Sequence, residues 1–331
     1  MSSAAVQDPA AEVADGPREP WTRTATRWVV EHAIFAMLLV FIVVFAILSP
    51  VFGSLGNAEV ILLAASTAAL LALGQTFVIL TGGIDLSVGS VVGLSGVVSA
   101  LVVPHGVVLA VVCGVGSGLL VGLVNGTAVS AGRVPPFVVT LGMMTIALGL
   151  AQVISDGSPI SGLPDGFLAI ANNSWLGIPI PIILMVVAFA VLWLVLGRTR
   201  FGMNVYAVGG NPLAATIAGI KTRRVTTAVY CLSGALAGIA GVVLASRVTA
   251  GIATTGTGYE LDSIAAVVIG GISLVGGRGR IAGAMVGVLI IETLNNGLDI
   301  LNVSSFYQDI IKGALIIAAV FVDVRVAKRD S

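Results

Sequence analysis

Few side chains in this sequence could do chemistry, and most of them stand alone. Asp85 lies in ILTGGIDLSVGSVV (79–92), a carboxylate beside Gly82 and Gly83 in otherwise apolar surroundings. Glu292 falls far enough into an apolar run to be about 16 Å deep at 1.5 Å per residue. Lys312 sits near the start of the last apolar run, with Asp309 one helical turn earlier on a shared face. Ionisable groups at such depth are costly, so each is a functional candidate, ion coupling included. Gln75, Thr76, Asn125, Thr140, Thr145, Asn295 and Asn296 add uncharged hydrogen-bonding groups. These either join helices to one another or line a path for a hydroxyl-rich solute.

His32 and His105 lie at opposite ends of the chain, and no Gly-x-x-x-x-Gly-Lys-Ser/Thr sequence occurs. A metal site, a nucleophilic constellation and a phosphate-cradling loop are therefore not expected, and the chain alone is read as neither ATPase nor hydrolase. Cys113 and Cys231 fall in apolar runs, where cysteine behaves as a small hydrophobe.

The elements that must hold these residues are membrane helices. Of 331 residues, 57% are hydrophobic and 10% charged, with a mean hydropathy of +1.09, whereas soluble chains average roughly 45–50% apolar and about 25% charged. A crossing needs about 20 apolar residues, which yields ten spans, approximately Trp28–Leu48, Ala58–Leu80, Leu86–Val103, Gly106–Val129, Phe137–Ile154, Ile178–Leu196, Val225–Ser246, Asp262–Val275, Ile281–Leu301 and Phe306–Val322. The fold class read here is all-α, a polytopic membrane bundle of about ten transmembrane helices. With the N-terminus inside, 14 of the 16 Lys and Arg residues are cytoplasmic; Arg247 falls outside and Lys312 lies within a span. An even span count then keeps both termini cytoplasmic. Residues 1–26, acidic and without an apolar stretch, are expected to be a disordered cytosolic tail. Residues 27–325 form the membrane domain, and 326–331 a short cytosolic tail.

Glycine spacing argues for a tight bundle. Gly114, Gly118, Gly122 and Gly126 recur every four residues, as do Gly279, Gly283 and Gly287, placing small residues on one helix face. GGIDL (82–86) and GGISL (270–274) echo one another, but in this topology both lie on the cytoplasmic side. An inverted repeat would not match them, so the echo is not taken as a repeat.

Two loops invite partners. The cytoplasmic loop 197–224 contains Asn211 as a helix cap, Pro212 at the first helical position, then a short apolar helix that Gly219 can end. Such a helix either lies on headgroups or docks another subunit. Outside, 155–177 could dock an external protein, and Tyr259, Glu260 and Asp262 are expected at an outer face, the two carboxylates capping the eighth helix. The turn containing Gly82, Gly83 and Asp85 is expected on the cytoplasmic side, with Asp85 capping the third helix at Ser87 or Val88.

GQTFVILTGGIDLSVGSVVGLSG, YAVGGNPLAATIAGI and GYELDSIAAVVIGGISLVGGRGRIAGAMVGVLI, in that order, resemble the permease subunits of ribose/xylose/galactose-type ABC importers. The resemblance runs from about residue 30 to 325 and includes Gln308, Gly313 and Asp323. It implies a bacterial cell-membrane subunit that dimerises with a second permease copy as a homodimer, receives a monosaccharide from an extracytoplasmic binding protein, and couples to a cytosolic ATPase that uses ATP and Mg. The chain itself would bind no cofactor. The resemblance further implies that Gly210, Asn211, Pro212, Leu213, Ala214, Ala215 and Gly219 belong to a coupling helix entering a groove on the ATPase. Many relatives carry an acid where this chain has Leu213, so a salt bridge there is not expected. The alternatives are an ABC permease for nucleosides or branched-chain amino acids, and an ion-coupled secondary transporter.

Overall fold

The computed structural model describes residues 21–329. Of the tail expected over 1–26, residues 1–20 lie outside the described residues, while 21–26 are helical. Pro20 is the last helix breaker before the first span, so the helix extends back to the residue after it. At the other end the last helix continues through 326–329, which the sequence reading had left as tail.

The helices are α1 (Trp21–Leu48), α2 (Leu55–Leu80), α3 (Val88–Val102, prolonged by a tight turn to His105), α4 (Val107–Ser130), α5 (Pro136–Ile154), α6 (Asp165–Asn172), α7 (Ile180–Arg198), α8 (Arg200–Gly210), α9 (Pro212–Ile217), α10 (Thr222–Arg247), α11 (Tyr259–Ile269), α12 (Ile281–Ile300) and α13 (Ser305–Arg329). Strands β1 (Ser174–Trp175) and β2 (Ile178–Pro179) form a small antiparallel ribbon before α7. Each of the ten spans read from the sequence coincides with a helix. Among the described residues, seven of these helices are long and apolar enough to cross a bilayer: α2, α3 with its turn, α4, α5, α7, α10 and α12. The eighth span is shorter than read, because α11 stops at Ile269 and Gly271 turns the chain at φ 81°.

Burial sorts these helices into two layers. α2, α3, α10 and α12 are mostly buried, whereas α4, α5 and α7 expose apolar side chains such as Leu120, Phe137 and Val187. An outer surface of that kind is stable against lipid tails, since each backbone polar group is already paired within its helix.

Two sets of four helices repeat one arrangement in opposite directions. α2 and α10 cross antiparallel, close enough that a Cβ on Gly74 would lie 2.9 Å from Ser233 Cα. Each is followed by a segment that folds back into the bundle and a short helix that starts there: 81–87 then α3, and 248–258 then α11. α3 packs on α4, α5 and α10; correspondingly, α11 packs on α12, α13 and α2. The GGIDL and GGISL echo is not the signature of this repeat, because GGIDL follows α2 whereas GGISL follows α11 and not α10, the counterpart of α2.

The spaced glycines explain the closest contact. Gly118, Gly122 and Gly126 of α4 face Gly238, Cys231 and Thr227 of α10, where added Cβ atoms would lie 2.7–3.0 Å from the opposing Cα atoms. Gly283 and Gly287 do the same for α12 against Gly270 and Ala266 of the α11 side. Gly279 does not belong to that helical row. It precedes α12 in a turn at φ 133°.

Candidate functional site

The turn after α2 starts at the surface, where Gly82 is exposed, and leads into the bundle. Gly82, at φ 78°, reverses the chain, and the next residues climb back so that Asp85, 1% exposed, lies beside Ser233 near the middle of α10. The expectation that this turn relieves the burial of Asp85 is therefore corrected. The chain re-enters because α3 begins inside the bundle, and a carboxylate is held there by donors from Ser87, at the start of α3, and Ser233 of α10. Asp85 Oδ1 accepts from Ser87 N at 3.0 Å and from Ser87 Oγ, while Oδ2 accepts from Ser233 Oγ at 3.0 Å. The bond to Ser87 is the cap expected from the sequence. Asn125 Nδ2 donates to Ser87 Oγ at 2.9 Å. The Gln75 amide, turned so that its oxygen faces Asp85 N (3.1 Å) and its nitrogen Asp85 O (3.3 Å), holds the backbone. Ile84 O accepts from Thr140 Oγ1 and Tyr230 Oη, and Gly83 has no room for a Cβ against Tyr230.

The structure thus gathers Gln75, Asn125, Thr140 and Asp85 in one network. Ser87, the cap partner expected from the sequence, Ser233 and Tyr230 complete it, and sequence reasoning did not select the last two. Ser233 is 148 positions from Asp85, with no local pattern joining the two. The other polar candidates lie elsewhere. Thr76 Oγ1 bonds back to Ala72 O, Thr145 is exposed and bonds to Leu141 O, and Asn296 exchanges two 2.9 Å hydrogen bonds with Asn57 at the start of α2. Glu292 is buried within α12, and Asn295 Oδ1 has no hydrogen-bond partner among the described residues.

The second re-entrant segment lies along the small face of α3. Gly251, Ala253 and Gly256 sit against Gly96, Gly93 and Gly89, so backbone meets backbone without side chains between. This descent carries the start of α11 down to the first turn of α3, where the Glu260 carboxylate faces Gly89. Tyr259, Glu260 and Asp262, expected at an outer face, are each partly buried there. Glu260 and Asp262 do occupy the first turn of α11, and both Glu260 oxygens lie 3.2 Å from Gly258 N. Both short helices therefore carry the chain's own carboxylate at the N-terminal end, where backbone N–H groups are unsatisfied. Lys312 forms its 3.4 Å ion pair with Asp262, across from α11, instead of with its neighbour Asp309.

At the far end of α2 lies the short apolar helix. Asn211 Oδ1 accepts from Ala214 N at 2.9 Å, Pro212 opens α9, and Gly219 at φ 84° turns the chain out of it. Leu213 and Ile217 are 71% and 80% exposed, while Ala215 is buried. The preceding α8, missed in the sequence because Gly202, Gly209 and Gly210 suggest a loop, fastens α9 to the bundle. Gly209 abuts Leu80 O, the last turn of α2, and Gly277 N donates to the same carbonyl at 2.9 Å. Tyr206 Oη donates to Gly279 O at 2.8 Å, and burial pushes its phenol pKa up, so it remains a donor. Phe201 stacks on Phe77 of α2. One rigid path therefore runs from exposed α9 through Gly209 and Leu80 to the Asp85 turn.

Re-entrant half-helices within a bundle of lipid-facing helices define a polytopic membrane permease. Residues 57–320 match the family described as branched-chain amino acid transport system / permease component, and the chain belongs to that family. It is similar to the ribose import permease protein RbsC of Bacillus subtilis, 48% identical over 293 residues that cover 87% of this chain and 91% of the relative. The RbsC of Escherichia coli K12 is 43% identical, covering 89% and 94%. The D-allose transport system permease protein AlsC of Escherichia coli K12 is 39% identical, covering 90% and 93%. No solved structure matches.

Proposed function

We propose that this chain is the membrane permease subunit of an ATP-driven bacterial importer that translocates a monosaccharide. The observation that carries the reading is its similarity, over nearly the whole of both chains, to permeases named for ribose and allose. An extracytoplasmic binding protein would deliver the sugar, and a separate cytosolic ATPase would hydrolyse ATP with Mg. Supporting the coupling assignment, Gly210–Ala215 and Gly219 present Leu213 and Ile217 outward on a helix braced to α2. In this reading all ten apolar helices cross the bilayer, both termini are cytoplasmic, and two copies form a homodimer around a central path.

Alternating access follows from the brace. Closure of the ATPase pair moves α9, and Gly209, Leu80 and Gly277 pass that motion to the turn where α3 begins. The inner ends of α3 and α11 already carry Asp85 and Glu260, so neither half-helix needs an anionic cargo to offset its N-terminal charge. A neutral polyol suits such a path better than an amino acid carboxylate does. The test is uptake of labelled ribose by cells expressing the chain with its binding protein and ATPase. Deleting the ATPase should abolish uptake; uptake that persists and follows a proton or sodium gradient would sink the reading.

A further inference from the structure

The end of the bundle that carries α9 is rich in cations. No Asp or Glu occurs between residues 86 and 155 or between 166 and 259, yet Arg133, Arg198, Arg200, Lys221, Arg223 and Arg224 lie in these stretches. The first turn of α10 contains no acid, and neither Arg223 nor Arg224 has a carboxylate partner among the described residues.

Two adjoining clefts open beside these arginines. One, of about 360 Å³, lies between the end of α4 and the start of α10, floored by Ala131 and Ala228 and walled by Arg223 and Arg224. The other, of about 220 Å³, shares Arg223 and Ser130 and is also lined by Thr81, Thr222 and Thr226. The first cleft is continuous with a lipid-facing stripe of α4, where Leu120, Leu123 and Val124 are 62%, 43% and 50% exposed. Thr127 and Ala131 prolong that stripe at helical spacing into the cleft.

We propose that the clefts bind the headgroup of an anionic phospholipid, with Arg223 and Arg224 on its phosphate and an acyl chain along Leu120, Leu123 and Val124. Guanidinium groups suit phosphate oxygens through paired N–H donors, and basic clefts between membrane helices suit anionic headgroups. The sideways opening onto the α4 stripe favours a lipid over the acidic surface of a soluble partner. A headgroup in the smaller cleft touches Thr81–Gly83, next to Asp85, and Pro212, at the start of α9. The lipid would thereby brace the same path that links α9 to the re-entrant turn. This inference rests on the bilayer placement and not on the cargo, so its failure would leave the sugar reading standing.

The test uses the purified full-length chain in neutral detergent, titrated with phosphatidylglycerol, phosphatidylcholine or inorganic phosphate and read by native mass spectrometry. Phosphatidylglycerol should bind at least about tenfold tighter than phosphatidylcholine, and inorganic phosphate should not displace it at equal concentration. Each of R223Q and R224Q should lose about fivefold in phosphatidylglycerol affinity, and the double variant about thirtyfold. R223K/R224K, which keeps the charge and should insert normally, should retain most of the preference. Equal binding of the two lipids, displacement by free phosphate, or an unchanged preference in R223Q and R224Q overturns the proposal. So does a loss confined to association with the ATPase, which would assign the clefts to a protein contact.

Discussion

Asp85 Oδ2 accepts a 3.0 Å hydrogen bond from Ser233 Oγ, fastening the turn before α3 to the middle of α10. With Ser87 on the other oxygen, this bond fixes where the half-helix starts. Asp85→Asn keeps an acceptor for Ser87 and can meet the Ser233 hydroxyl with its amide, so it should lower stability by no more than about 1.5 kcal/mol. Asp85→Leu strands Ser87 N and two hydroxyls, at about 1–3 kcal/mol for each group left unpaired. Thermal denaturation in detergent and sugar uptake should both rank wild type, Asn, then Leu. A Leu variant with full uptake would show that the network does not position α3.

The two faces of α9 should separate docking from folding. Leu213→Asp and Ile217→Asp alter exposed side chains and should leave the melting temperature unchanged while the ATPase no longer co-purifies. Ala215→Glu forces a charge into a buried site and should also destabilise the chain, by several kcal/mol if the carboxylate stays buried. If ATPase recovery survives both aspartate substitutions, α9 is not the docking helix.

The α4 to α10 contact leaves no space for a side chain at Gly122. Gly122→Val should cost about 1–3 kcal/mol through overpacking, and more where the helices cannot separate. Gly116, on an open part of the same helix, has nothing within 4 Å of a built Cβ. Gly116→Ala should be nearly neutral or slightly stabilising, by up to about 1 kcal/mol in helix propensity. Melting temperatures of the two variants measured side by side check the contrast.

Lys312 and Asp262 are paired across α13 and α11, with side chains 20% and 15% exposed. Lys312→Met leaves Asp262 without its cation and should destabilise the chain by up to about 3 kcal/mol, discounting a fully buried pair for this exposure. Adding Asp262→Asn should restore much of the loss. Glu292→Gln should keep at least partial uptake. A normally assembled Gln variant with no uptake would instead favour ion coupling.

Much of the architecture was legible because the bilayer imposes a simple length rule. Ten apolar runs marked ten helices, and Asn211-Pro212 with Gly219 located α9 because caps act over three or four residues. Gly89 and Gly93 of α3 pack against the backbone of Gly256 and Ala253 in the re-entrant segment, while Gly96 packs against Gly241 of α10, pairings that no local pattern announces. Asp85 was read as a cap but placed at a surface, since hydropathy counts residues across a span and does not register a chain that turns back.

The sequence by itself determined the helices, the lipid-facing composition and the short-range caps, all consequences of side-chain solvation and local backbone geometry. Only the tertiary structure decided the depth of Asp85 and Glu260, the pairing of Lys312 with Asp262, and the link from Gly209 through Leu80 to the re-entrant turn. Those depend on contacts between distant segments, such as Asp85 with Ser233, where burial without water leaves a carboxylate dependent on donors that folding alone brings within reach.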